Sequence, residues 1–183
     1  AARPGEGMTQ VPDPAVRITD GRVIILSVLS AGLYIFFWFY LTWKQLENET
    51  GRKHYPVWHA LTLFVPIYNL FRMYTHVWAI GELAASRGVT STMAPGLAVV
   101  LWIVAVALDS SSIRIDSYGA VILLSLLSTA VTTTLIVTAQ RGLNLYWEKV
   151  RPPDTLTDAR TGVGEVVFVV LGIIVWIGVF IPF

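Results

Sequence analysis

The sequence predicts an all-α integral membrane protein with four to five transmembrane helices. Hydrophobic residues make up 55% of the 183 residues and charged residues only 14%, whereas a soluble domain is about one quarter charged. Several apolar runs approach the roughly 20 residues that a helix needs to cross a hydrocarbon core. A soluble chain of this length has too small a core to enclose these runs. Lipid is therefore their expected surroundings.

The chain divides into a polar N-terminal tail, residues 1–22, and a single helical membrane domain, residues 23–183. Backbone groups in lipid must be hydrogen-bonded internally, so the apolar segments are expected to be helices. The fourth is expected to continue to the membrane surface and to stop before Pro152 and Pro153. The segments cover about residues 23–43, 55–83, 94–113, 118–139 and 166–183.

The second segment is interrupted by Pro66, which lacks a backbone N–H and kinks or breaks a helix. Two geometries fit: a kinked span, or a re-entrant segment that turns at Pro66 and returns along the interface. Both satisfy the positive-inside rule, with opposite orientations of the N-terminus. The loop of residues 140–163 is expected to be cytoplasmic in both.

Asn69, Arg72 and His76, beyond Pro66, fall on one helical face because they are spaced three and four residues apart. Together with Glu82, further along the same segment, they predict a polar intramembrane or interfacial cluster. In a membrane interior such groups indicate a functional site. At an interface, Arg72 would instead reach lipid phosphates.

Aromatic residues crowd the end of the first segment and precede a lysine, as in the interfacial belts of membrane proteins. The predicted interfacial anchors are Trp38, Tyr40, Trp43, Lys44 and Trp147. The alternative interpretation of this aromatic cluster is a contact surface for a lipid, pigment or quinone.

The sequence contains no recognisable catalytic, nucleotide-binding or metal-binding motif. His59 and His76 are weak cofactor-binding candidates, and bonds to backbone or neighbouring helices are the favoured interpretation. Asp109 and Asp116 flank a serine run in the turn after the third segment, where polar residues are expected anyway. The hydroxyl groups along the fourth segment, Ser125 to Thr134, predict close helix packing first and a polar path second.

Partners and cofactors follow from the same composition. The absence of cysteine excludes disulfides and thiolate chemistry, and a net charge of +1 without a basic stripe argues against nucleic acid as a partner. No cofactor or metal is predicted, and the expected partners are membrane lipids and other membrane subunits.

Residues 33–44 and 64–74, including the run Pro66-Ile67-Tyr68-Asn69-Leu70-Phe71-Arg72, resemble bacterial membrane proteins of the domain-of-unknown-function class. These have an aromatic-rich first helix followed by a Pro-Ile-x-Asn-Leu-x-Arg segment. The resemblance covers roughly residues 23–90. It implies a multi-pass protein of the bacterial cytoplasmic membrane and carries no activity with it.

Three functions remain open from the sequence. The first is a non-enzymatic accessory or scaffolding subunit packed within a larger membrane complex, respiratory or photosynthetic. The alternative is a small transporter or channel with its site near Pro66, Asn69 and Arg72, since broken helices mark transporter sites. A lipid-acting enzyme is the third, with His54 beside Arg52 and Lys53 as its nearest approximation.

Overall fold

The computed structural model describes residues 16–181, so the expected tail lies largely outside the described residues. Within them the chain is helical, with short 3-10 turns at Thr62–Phe64 and Pro153–Thr155. Two short strands, β1 (Val16–Arg17) and β2 (Thr157–Asp158), pair in parallel. The helices of the described part are α1 (Asp20–Leu29), α2 (Tyr34–Thr50), α3 (Pro56–Leu61), α4 (Tyr68–Ala85), α5 (Pro95–Ser112), α6 (Tyr118–Val150) and α7 (Val163–Phe180).

Among the described helices, α5, α6 and α7 are long and apolar enough to cross a membrane. The shortest of them have 18 residues, which is about 27 Å of helix. α6 has 33 residues and ends at Val150, shortly before Pro152 and Pro153, where the sequence predicts the end of the fourth segment. These three helices do not confirm the four to five spans expected, and the difference comes from the first two apolar segments.

The single helix expected over residues 23–43 is wrong, because the chain breaks between α1 and α2. Ala31 and Gly32 both have positive φ, 52° and 82°. The Gly32 N–H donates to Ser27 O at 2.7 Å and the Ala31 N–H to Val28 O at 3.1 Å, the bond pattern of a Schellman motif. The Ser30 hydroxyl then accepts the Tyr34 N–H at 2.8 Å and caps the start of α2. One side chain thus helps to end one helix and begin the next.

α1 and α2 run in opposite directions, which their contacts along α6 establish. Asp20, at the start of α1, pairs with Arg141. Gly32, after α1, lies against Thr132, nine residues back along α6. Glu49, at the end of α2, accepts a hydrogen bond from Tyr146 at 2.6 Å. We call α1 and α2 the N-terminal hairpin and the break between them its tip.

The second apolar segment forms another hairpin, with its break at Pro66. Before the break, His59 of α3 stacks on Trp43, with ring centroids 4.2 Å apart. Phe64 then stacks on Phe36 near the first tip, with ring centroids 4.3 Å apart. After the break, α4 packs against α6, and Ile80 of α4 lies near Gly142 of α6. The chain therefore turns back at Pro66, as in the re-entrant geometry. We call α3 and α4 the proline hairpin.

Both hairpins begin and end on one side of the helix bundle. We call it the near side, and it also holds the start of α1, the end of α6 and the start of α7. Arg22 of α1 pairs there with Glu165 of α7, which is 2% exposed. Arg17 pairs with Asp158, next to the β1–β2 contact. The opposite, far side holds the turn between α5 and α6, where the Tyr118 hydroxyl donates to Phe180 O.

The two tips lie at a similar depth along α6. The first contacts Thr132, fourteen residues from the far end of α6 at Tyr118, or about 21 Å. The second precedes Tyr68, which is twelve residues, about 18 Å, along α4 from Ile80 and its contact with Gly142. Because Gly142 lies 24 residues, about 36 Å, from Tyr118, the second tip is about 18 Å from the far end of α6. Both tips therefore lie somewhat past the middle of a layer of roughly 30 Å entered from the far side.

Candidate functional site

A cavity of about 680 Å³ lies between the two hairpin tips, α5 and α6. The N-terminal hairpin contributes residues between Ala31 and Phe36, and the proline hairpin contributes residues between Leu63 and Leu70. Residues of α5 between Trp102 and Ser110 line it together with Ile113, just after α5, and α6 supplies Ser128 and Thr132. We call this space the tip cavity, because both interruptions of the helical chain border it.

The second tip contains the most strained backbone of the site. Ile67 has φ 67° and ψ −49°, and the Tyr68 N–H donates to Pro66 O at 2.7 Å across it. This is a γ-turn with positive φ, which is rare and strained, and a β-branched residue makes the strain larger. The Asn69 side chain donates to Leu63 O at 3.3 Å across the turn and ties its two ends together. Such strain persists where surrounding contacts enforce it, typically at ligand sites and switches.

The wall formed by α5 and α6 carries the polar groups opposite the tips. Ser128 donates to Ala105 O at 3.1 Å, and its side chain also lies beside the Asp109 carboxylate. Trp102 is 7% exposed, and its indole N–H has no hydrogen-bond partner among the described residues. Of the residues that line the cavity, Asp109 alone carries an ionisable side chain. The remaining lining is mostly apolar, which is the usual composition of a small-molecule site.

The residues of the predicted polar cluster lie in four different surroundings. Asn69 lines the tip cavity. Arg72 bonds to the Tyr68 hydroxyl and lies over its ring, 4.8 Å from the centroid. His76 is fully buried, with Nε2 2.8 Å from the Thr42 hydroxyl. Glu82 is exposed close to the end of α4, towards the near side. Only Asn69 of the four belongs to the cavity.

The histidines converge on Trp43, on the near side of the tip cavity. Ring centroids of His54, His59 and His76 lie 4.9 Å, 4.2 Å and 5.0 Å from that of Trp43. Burial lowers the pKa of His59 to about 4, with further contributions from the charge of Arg72 and from His54. No group of metal-binding side chains occurs among residues 16–181. The cofactor role considered for His59 and His76 stays a prediction.

The prediction of interfacial anchors is wrong for the tryptophans. Trp38, Trp43 and Trp147 are 0%, 4% and 3% exposed, so they lie in the core. Trp38 donates to Gln140 at 2.7 Å, Gln140 to Asn144 at 2.9 Å, and Asn144 to Ile18 O at 2.8 Å. This buried chain of hydrogen bonds joins α2 and the segment before α1 to α6. A buried indole and an interfacial one produce the same sequence pattern, which explains the error. Tyr40 is half-buried and Lys44 is exposed.

No protein-family model, curated protein or solved structure matches the chain. The resemblance to bacterial membrane proteins of the domain-of-unknown-function class therefore stays a prediction. The site rests on the geometry of this chain alone.

Sequence reasoning missed two parts of the site. The predicted segment of residues 94–113 agrees with α5, but the interpretation of Asp109 as part of a surface turn did not indicate that Asp109 and Ser110, both exposed, line the tip cavity. The break at Ser30 to Leu33 was missed as well. The Ser-Ala-Gly sequence was its only local signal, and small residues are frequent in unbroken transmembrane helices.

Proposed function

We propose that the chain is a small-molecule transporter whose substrate binds in the tip cavity. The single observation that carries this proposal is that two independent helix breaks border one cavity. Irregular backbone at membrane depth is tolerated where it is buried in protein or lines a cavity. Transporters use such discontinuous helices near the middle of the bilayer as substrate sites.

In this proposal both hairpins are re-entrant, and only α5, α6 and α7 cross the membrane. The hairpins enter from the near side, reach mid-membrane and return. The tips satisfy most of their own backbone groups, through the Schellman motif, the Ser30 cap and the Asn69 bond to Leu63 O. A segment with its polar backbone covered in this way tolerates placement inside a bilayer.

The charge distribution supports a cytoplasmic near side. Lys and Arg near helix ends are enriched in cytoplasmic loops. The far side has only Arg114 among the described residues. The near side has ten such residues in the described part, namely Arg17, Arg22, Lys44, Arg52, Lys53, Arg87, Arg141, Lys149, Arg151 and Arg160. Arg72, which follows the second tip, is counted on neither side.

With this orientation the tip cavity extends towards the external side. Asp109, Ser110 and Ile113 lie at the far end of α5, and Ile113 is 86% exposed. Towards the cytoplasm, the bonds from Trp38 to Gln140 and from Thr42 to His76 join the hairpins to α6 and to each other. The conformation thus corresponds to an outward-facing state of the proposed transporter.

Orientation is tested by single-cysteine labelling, which the absence of natural cysteine makes simple. We expect a membrane-impermeant maleimide to label Ser110→Cys in right-side-out vesicles and to leave Asn48→Cys, on the near side, unlabelled until the vesicles are opened. The reverse pattern overturns the orientation.

Transport is tested with purified protein in liposomes and a panel of labelled solutes: an organic cation, an amino acid, a sugar and a carboxylate. We expect saturable uptake of at least one solute, reduced in Asn69→Ala and unchanged in the exposed control Asn48→Ala. Background leakage for every solute contradicts the proposal.

The accessory-subunit role stays a second prediction. It expects the chain to comigrate with larger partners on a native gel after extraction in mild detergent. Migration as a lone monomer or small homo-oligomer counts against it.

A further inference from the structure

We infer that the substrate of the tip cavity is an organic cation with an apolar body, its charged group placed at Asp109. This inference rests on the proposed transport function and specifies its substrate class. The charge of the cavity, its walls and its surroundings all favour such a ligand.

The charge of the cavity is that of Asp109 alone. The described residues contain ion pairs at Arg17, Arg22, Arg141 and Arg151, and none of these pairs includes Asp109. Its side chain lies beside the Ser128 hydroxyl, which does not neutralise it. A carboxylate at the edge of a mostly apolar space attracts a cation more strongly than it would in bulk water, because the apolar walls lower the local dielectric constant.

The walls suit the apolar part of such a ligand. Phe36 and Phe64, one from each hairpin, stack face to face at the edge of the cavity with planes 9° apart. Trp102 contributes a third aromatic side chain from α5. Aromatic faces attract cations in addition to burying apolar surface. An anion would meet the Asp109 charge and find no basic side chain in the lining.

The far side as a whole also favours cations. Its charged residues in the described part, from Asp109 to the start of α6, are Asp109, Arg114 and Asp116, two negative and one positive. A cleft with one prevailing sign of charge raises the local concentration of the opposite ion.

The test uses two probes of matched shape and opposite charge, tetraphenylphosphonium and tetraphenylborate, titrated into purified protein in neutral detergent. We expect saturable binding of the cation and at least about tenfold weaker binding of the anion. Asp109→Asn should weaken cation binding by at least about tenfold. Asp109→Glu, which keeps the charge, should retain it, and Asp154→Asn, in the loop after α6, is the matched control.

Equal binding of both probes by the wild-type protein overturns the inference, even if Asp109→Asn fails to fold. Unchanged cation binding by a folded Asp109→Asn protein overturns it as well. These results are distinguishable from a failure of the proposed function. Charge-selective binding without flux in liposomes would contradict transport and leave the cation site standing. Flux of uncharged or anionic solutes alone would support transport and contradict the cation site.

Discussion

Gly172 of α7 packs directly against the backbone of Ser30 at the tip of the N-terminal hairpin. The contact is so close that a methyl group at position 172 would overlap the Ser30 Cα. One turn further along α7, the Trp176 indole N–H donates to Val28 O at 2.7 Å. α7 therefore supports the hairpin where the helical hydrogen bonding of α1 ends.

The Gly172→Ala substitution is expected to destabilise the protein by about 1–3 kcal/mol, because the extra methyl group must displace backbone rather than a flexible side chain. Gly178→Ala is the matched control, since a Cβ at position 178 meets nothing within 4 Å. It is expected to be neutral or to stabilise α7 by up to about 1 kcal/mol. Thermal unfolding in detergent measures both. Equal melting temperatures for the two variants would show that the contact with Ser30 is looser than described.

Replacing Ala31 with glycine is expected to stabilise the first tip by up to about 1 kcal/mol. Ala31 holds φ 52° at the position of the Schellman motif where glycine is preferred, so its Cβ introduces strain that glycine lacks. The same substitution at the exposed Ala130, in the interior of α6, should destabilise by up to about 1 kcal/mol. The opposite signs are read from unfolding curves of the two variants. A loss of stability at both positions would argue that Ala31 is helical.

Substitutions at Trp38 and Gln140, which share a buried hydrogen bond, are expected to have non-additive effects on the free energy of unfolding. Gln140→Leu leaves the buried indole N–H of Trp38 without its acceptor and Asn144 without a donor, which should cost about 1–3 kcal/mol. Adding Trp38→Phe removes the orphaned donor, so the double variant should lose less than the sum of the single losses. A double-mutant cycle by chemical or thermal unfolding measures the difference. Strict additivity would mean that the bond contributes nothing.

Acidification is expected to destabilise the packing of the proline hairpin through His59. The unfolded chain holds this group with a pKa near 6.5, and the folded chain holds it with a pKa of about 4. Between these values the unfolded state binds more protons, so stability falls as pH is lowered from about 6.5 to 4. His59→Phe keeps a ring against Trp43 and removes the titration. The melting temperature of this variant should fall less over this pH range than that of the wild type. In the wild type, His54, His76 and Arg72 face His59. Parallel curves for the two proteins would contradict the assignment.

The fold was predictable where one residue sets the local structure. Pro66 cannot continue a helix, and the chain turns back there; Pro152 and Pro153 end α6 in the same way. The first tip was not predictable, since Ser30, Ala31 and Gly32 lie inside an apolar run that suits an unbroken helix equally well. The break depends on tertiary contacts with Thr132 and Gly172, which are far away in the sequence.

The candidate site was predictable in part for a related reason. Asn69 follows Pro66 directly, so its place near the break could be anticipated. Asp109 belongs to the site because α5 brings it to the space between two hairpin tips, a placement that no local pattern encodes. The tryptophans were misplaced for the same reason: Trp38 is buried against Gln140 of α6, a partner distant in the sequence that no local pattern around Trp38 indicates.

Because each hairpin returns to the side from which it starts, very little of the described chain is available on the opposite face. The turn at residues 113–117 and the last residues of α7 are what the described part presents there. In the proposed topology, biogenesis requires only a few polar residues of the described part to be translocated, and proteases or antibodies applied from that face meet the five-residue turn and the last described residues of α7. Nearly every other surface of the described part that this topology leaves outside the membrane lies on the other face.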